Sequence, residues 1–131
     1  MVFSHKIRVR YAECDRMGFV HHSIYALYFE EARTEFLRNK SITYKELEDS
    51  GIIMPVREMG FKFLYAGKYD DLLTIEVTIP EAPTLRCKFE YKTYNQEGLL
   101  LNEGFTELFF VKKETMKPIR IEKDLFNKFL S

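Results

Sequence analysis

Seven polar side chains crowd one short stretch of the chain: Tyr11, Glu13, Cys14, Asp15, His21, His22 and Tyr25. They span a loop and the start of the helical pattern that follows it. The first amides of a helix have no internal partners, and the helix dipole adds positive potential there. Such a place stabilises the oxyanion that develops when a carbonyl is attacked. A carboxylate beside it either attacks the carbonyl or takes a proton from water. Asp15 is the candidate carboxylate, and Gly18 lets the loop behind it turn tightly. Plainer readings exist for the same residues. An Asp ahead of a Gly is common in ordinary turns. Cys14 with a nearby His is a second candidate nucleophile, although a small Cys beside a turn is more often packing. His21 and His22 have no acid or thiol at a familiar ligand spacing, and neighbours on an extended loop point apart. No metal is expected.

The elements that position this cluster follow from the hydrophobic pattern. Phe3, His5, Ile7, Val9 and Tyr11 alternate with Ser4, Lys6, Arg8 and Arg10, a period of two that predicts a half-buried strand. The stretch 12–22 has no period and reads as a loop. From 23 to about 39, Ile24, Leu27, Tyr28, Ala32 and Phe36 recur at steps of three and four, which predicts a long helix with Ser23 as its N-cap. Of its charged residues Glu30, Glu31, Arg33, Glu35 and Arg38, several are expected to face water. Thr43 to Glu46 has capping-box spacing and predicts a short helix ending before Gly51. Strands follow over 56–66, 72–79, 84–94 and 99–111, with turns at 80–83 and 95–98, and a terminal helix over 123–130. The fold class read from this order is α+β, one curved antiparallel sheet wrapped around a single long central helix. Residues 1–131 are expected to form one domain. The last long strand is apolar on both faces, and an unprotected edge invites a second chain. A homodimer or homotetramer is expected.

Composition narrows the classes of function. The chain has 131 residues, 46% hydrophobic and 15% aromatic, enough for a buried core. Lys plus Arg balance Asp plus Glu at 20 each. With no basic excess or stripe, no nucleic-acid partner is expected. No run approaches the roughly 18 apolar residues of a membrane span, and the start of the chain has no apolar signal core. Two distant cysteines read as reduced thiols in a cytoplasmic protein.

The segment Tyr11-Ala12-Glu13-Cys14-Asp15-Arg16-Met17-Gly18-Phe19-Val20-His21-His22-Ser23-Ile24-Tyr25 resembles the signature of the 4-hydroxybenzoyl-CoA thioesterase superfamily. It is most similar to the YbgC-type acyl-CoA thioesterases. The resemblance continues over 28–38 and reappears at 55–57 and 70–75. It implies a hotdog fold, hydrolysis of acyl-CoA to free acid and CoA, and no cofactor. Residue by residue, it implies that Asp15 is the nucleophile or general base. His22 falls where a backbone amide polarises the thioester carbonyl. Tyr11, Gly18, Val20 and Tyr25 match residues around the substrate. It also implies an acyl pocket at a dimer interface, with CoA extending along the surface. Some relatives carry His-Val-Asn where Phe19-Val20-His21 stands here. CoA brings phosphates, for which Arg57, Arg86, Lys88 and Lys92 are the candidate cations, with Arg86 and Lys88 favoured by the stripe on one strand face, although for any one of them a solvated strand residue is the commoner reading.

Rival functions are kept open by the fold, which also hosts dehydratases and thioesterases acting on acyl carrier proteins. A dehydratase of that kind needs an active-site His paired with a helix Glu, whereas here the better-placed acid precedes the helix. A non-catalytic acyl-binding or scaffolding role is a third reading.

Overall fold

The structure is a computed structural model that describes residues 2–130. In chain order the elements are β1 (Phe3–Arg8), α1 (Ile24–Asn39), α2 (Tyr44–Asp49), β2 (Ile52–Ile53), β3 (Val56–Phe63), β4 (Leu72–Thr78), β5 (Arg86–Tyr94), β6 (Leu100–Phe109), β7 (Val111–Lys112), β8 (Lys117–Pro118) and α3 (Lys123–Leu130). Five strands make one antiparallel sheet in the order β1-β4-β5-β6-β3, and β2, β7 and β8 make a small second sheet. The long helix packs across the large sheet as its single central helix.

Why the helix sits there is written in β5 and α1. Cys87, Phe89, Tyr91 and Thr93 alternate on one face of β5 and are all buried. From α1, Phe29 stacks on Tyr91 with ring centroids 4.2 Å apart, and Phe36 meets Phe89 edge-on at 5.9 Å. Burying a side chain of this size contributes about 1.5–3 kcal/mol. Gly104 on β6 makes the close approach possible: a Cβ there would stand 2.6 Å from the Phe29 ring and 2.8 Å from the Gly60 carbonyl oxygen. The short helix α2 opens as its spacing predicts, with the Thr43 hydroxyl accepting from Glu46 N–H at 3.1 Å.

Several expectations are corrected. β6, the last long strand, is not an edge; it lies between β5 and β3, and the free edges are β1 and β3. β3 pairs with β6 across the sheet and not with β4, the next strand in sequence. Leu27 points to solvent. The buried stripe of α1 is Tyr25, Tyr28, Phe29, Ala32, Arg33, Phe36 and Leu37, a helical phase set by the aromatics. Arg33 goes inside rather than to water because the Tyr44 hydroxyl accepts its Nε–H at 3.1 Å. Ser23 does not cap α1. It is itself helical, and its hydroxyl pairs with His21 Nδ1 at 2.8 Å.

Candidate active site

The sheet and helix converge on one end of the molecule. There β1 ends, β4 begins, β5 ends, β6 begins and β3 ends, and there α1 starts. The loop between β1 and α1 is built around Glu13. Arg10 to Glu13 closes as a tight 3-10 turn, because Arg10 N–H donates to Glu13 Oε1 at 2.7 Å. Arg10 Nη2 reaches Glu13 Oε2 at 3.1 Å, and the Tyr28 hydroxyl of α1 donates to Oε1 at 2.8 Å. Burial alone would raise the Glu13 pKa. The Arg10 amide, the Tyr28 hydroxyl and the Arg10 guanidinium together hold it below the usual carboxylate value. The same turn ends the strand alternation and swings Tyr11 out, leaving it 79% exposed and edge-on to Tyr69. Tyr11 is therefore not on the inward face with Ile7 and Val9.

Beyond Glu13 the chain doubles back on itself. Cys14 bridges Val20, Asp15 N–H donates to the Phe19 carbonyl at 2.8 Å, and His21 N–H donates to the Glu13 carbonyl at 2.9 Å. These bonds lay the segment carrying Asp15 alongside the segment leading into α1. Gly18, at φ +83°, supplies the left-handed residue the turn needs. The Asp15 carboxylate is half-buried. Its Oδ1 accepts from Met17 N–H at 2.9 Å and Phe19 N–H at 3.2 Å, while Oδ2 makes no hydrogen bond among the described residues. The His22 N–H is likewise without a hydrogen bond among the described residues. The arrangement offers a fixed carboxylate with one free oxygen and an unsatisfied amide at a helix start.

The neighbouring side chains divide. Val20 is buried, with its N–H on the Gly67 carbonyl at 2.8 Å. Tyr25 is buried beside it, its hydroxyl lying against the Gly67 backbone without completing a hydrogen bond, and burial pushes that phenol up to about 12. His21 and His22 do not point apart, as the loop reading expected; their rings lie 4.2 Å apart, both in solvent. The turn brings neighbouring side chains to one side. Burial, with the nearby Asp15 and Glu13 charges, pushes the Cys14 thiol up, which disfavours the thiolate a nucleophilic role needs.

Arg57, Arg86 and Lys88 are not brought to this end. Arg86 opens β5 and Tyr94 closes it, and at about 3.4 Å per residue the strand spans about 27 Å. The three cations stand on the face away from α1, where Arg86 pairs with Glu107 at 3.6 Å, Lys88 lies over the Phe105 ring and Arg57 over the Phe109 ring. Arg57 is the bulged residue at a register shift between Val56 and Glu58. The cations that the fold sets beside Asp15 are Arg16, its chain neighbour, and Lys68, paired with Phe19.

Gly67 lies outside the polar cluster of the sequence, whereas Glu13 belongs to it without an assigned role. A Cβ at Gly67 would stand 2.7 Å from the Tyr25 hydroxyl, so glycine is what lets the β3–β4 loop close over the site. No local signal marks it. For Glu13 the signal was available: an acid three residues after Arg10, facing the first turns of a helix that carries a tyrosine.

Known proteins share the sequence pattern and the fold. The family model described as the thioesterase-like superfamily matches residues 9–129. The chain belongs to that superfamily. It is 32% identical over 124 residues to the acyl-CoA thioesterase YbgC of Haemophilus influenzae, covering 94% of this chain and 90% of the relative. It is 29% identical to the putative acyl-CoA thioesterase YneP of Bacillus subtilis, over 90% of this chain and 86% of that one. Among solved structures, a DHNA-CoA thioesterase from Staphylococcus aureus superposes with a TM-score of 0.93 at 30% identity, covering 98% of this chain and 89% of that one. The chain is thus a hotdog-fold thioesterase of the YbgC type, and the dehydratase reading gives way to thioester hydrolysis. No helix among the described residues is long and apolar enough to cross a membrane.

Proposed function

We propose that the thioesterase hydrolyses acyl-CoA to a free acid and CoA, with Asp15 as nucleophile or general base and the His22 amide as the oxyanion donor. The observation that carries this reading is the pairing of a carboxylate locked through one oxygen with an unsatisfied amide at the start of α1. The thioester carbonyl oxygen accepts from the His22 N–H, where the helix start favours developing negative charge. In the general-base route Asp15 Oδ2 takes a proton from water as the water oxygen bonds to the carbonyl carbon. The tetrahedral oxyanion then collapses, the C–S bond breaks, and the proton passes from Asp15 to the departing thiolate. In the nucleophilic route Oδ2 attacks first, the thiolate leaves, and water cleaves the resulting anhydride. Val20, Gly18 and Tyr25 border the acyl group. Tyr11, in solvent, borders only the exposed part of the substrate.

The cations find a place in a dimer. β3 is a free edge, and Met59 and Phe63 on it are 42% and 49% exposed. Antiparallel pairing of two β3 edges about a two-fold axis lays the Val56 end of one strand beside the Phe63 end of the other. The partner subunit's Arg57 then stands nearest this protomer's Asp15 end, with the partner's Arg86 and the partner's Lys88 further along the same face. That places positive charge on a path for CoA phosphates.

The test is an assay of purified protein against acyl-CoAs of increasing chain length, with a thiol reagent reporting free CoA. Release of CoA from at least one thioester, at a rate set by enzyme concentration, is expected. No release across the panel contradicts the assignment of substrate.

A further inference from the structure

Thr93 and Asn102 face each other across β5 and β6 on the helix side of the sheet. Both are fully buried, and among the described residues neither the Thr93 hydroxyl nor either end of the Asn102 amide has a hydrogen-bond partner. Buried polar groups are nearly always paired, and leaving one unpaired costs about 1–3 kcal/mol. Three such groups on two facing residues, each side chain able to donate and accept, leave donors and acceptors open on the helix side of the sheet.

The strand register is built around this pair. Thr93 opposes Asn102, and the next pair is Tyr94 with Leu100, so Leu101 is an extra residue. In a plain ladder successive side chains go to opposite faces. The bulge instead leaves Leu101 and Asn102, neighbours in sequence, both fully buried.

The pair also lies at the right height. Phe29 stacks on Tyr91. One helical turn back from Phe29 is Tyr25, and two residues on from Tyr91 is Thr93; each step is about 5–7 Å towards the same end. Tyr25 therefore stands level with Thr93 and Asn102. Phe63, the other cross-strand neighbour of Asn102, has its ring 5.8 Å from Tyr25 and borders solvent. Counted from His22, the pair is about one turn, or about 5 Å, further into the fold.

We propose that Thr93 and Asn102 form a specificity element that hydrogen-bonds a hydroxyl or oxo substituent on the acyl chain, a few atoms beyond the thioester carbonyl. This rests on the reading of the site as one that holds an acyl thioester. An unsubstituted aliphatic chain leaves the Thr93 hydroxyl and the Asn102 amide unpaired. An oxygen substituent accepts from Asn102 Nδ2 or the Thr93 hydroxyl, and a hydroxyl also donates to Asn102 Oδ1. Sites made to bond a substrate oxygen reject the analogue lacking it far more strongly than apolar pockets separate methylenes.

The experiment measures binding apart from turnover. Asp15→Asn protein is titrated calorimetrically with butanoyl-CoA and with 3-hydroxybutanoyl-CoA, then again with Asn102→Leu or Thr93→Val added. Thermal melts confirm folding, and the isosteric Thr93→Val serves if Asn102→Leu does not fold. The hydroxylated thioester is expected to bind on the order of tenfold or more tightly, and the ratio to fall towards one in either added variant. Equal affinity for the two thioesters, or a preference that survives both substitutions, overturns the proposal. Hydrolysis by the wild-type protein is scored separately: a preference in binding without any turnover would remove the catalytic reading and leave this one standing.

Discussion

At the scale of the residue, Glu13 shows how a single side chain can hold a site without touching substrate. It ties the 3-10 turn to Arg10 and the turn to Tyr28 of α1, and its carbonyl takes the His21 N–H. Its lowered pKa has a consequence for stability. A carboxyl with a depressed folded value contributes stability above its unfolded value, and that contribution is lost as pH falls through the folded value. Urea midpoints of wild type and Glu13→Gln are therefore expected to differ most near neutral pH and to converge under acid conditions below the usual carboxylate range. A constant gap across pH would contradict it. Asp15 was legible in the sequence as a residue type in a place. That Oδ1 is occupied by Met17 and Phe19 amides was not, because it depends on how the chain doubles back at Gly18. The unpaired Thr93 and Asn102 were equally hidden, since only the strand register brings them face to face.

At the scale of the element, local pattern carried most of what it could. The long helix, the capped short helix and the terminal helix over Lys123–Leu130 follow from periodicity and caps. The misreadings have physical causes. Leu27 was assigned inward because it is apolar, yet helix phase is decided by which residues meet the sheet, and here the aromatics win. The β3–β6 pairing lay beyond any turn signal because its partners are far apart in sequence. The contact that seats α1 on the sheet is testable at Gly104. Gly104→Ala is expected to lose about 1–3 kcal/mol in thermal unfolding through overpacking, since the Gly60 carbonyl opposite it is backbone and yields little. A variant as stable as wild type would show that Phe29 has room to move.

At the scale of the whole molecule, the strand open to self-association is β3, not the last long strand of the sequence pattern. β6 is enclosed, and β3 is an exposed edge with apolar side chains along it. Sedimentation at micromolar concentration is expected to show a dimer or tetramer, and Met59→Lys, which sets a charge on that edge, to shift it towards monomer. A monomeric wild-type protein would leave Arg57, Arg86 and Lys88 stranded at the far end from Asp15. The account as a whole depends on one carboxylate, and Asp15→Asn isolates it, because the asparagine keeps the Oδ1 acceptor for Met17 and Phe19 and removes only the charge. Measured on the acyl-CoA cleaved best by wild type, kcat is predicted to fall by about a hundredfold or more, with stability within about 0.5 kcal/mol of wild type. A folded Asp15→Asn protein that turns over at the wild-type rate would contradict the account.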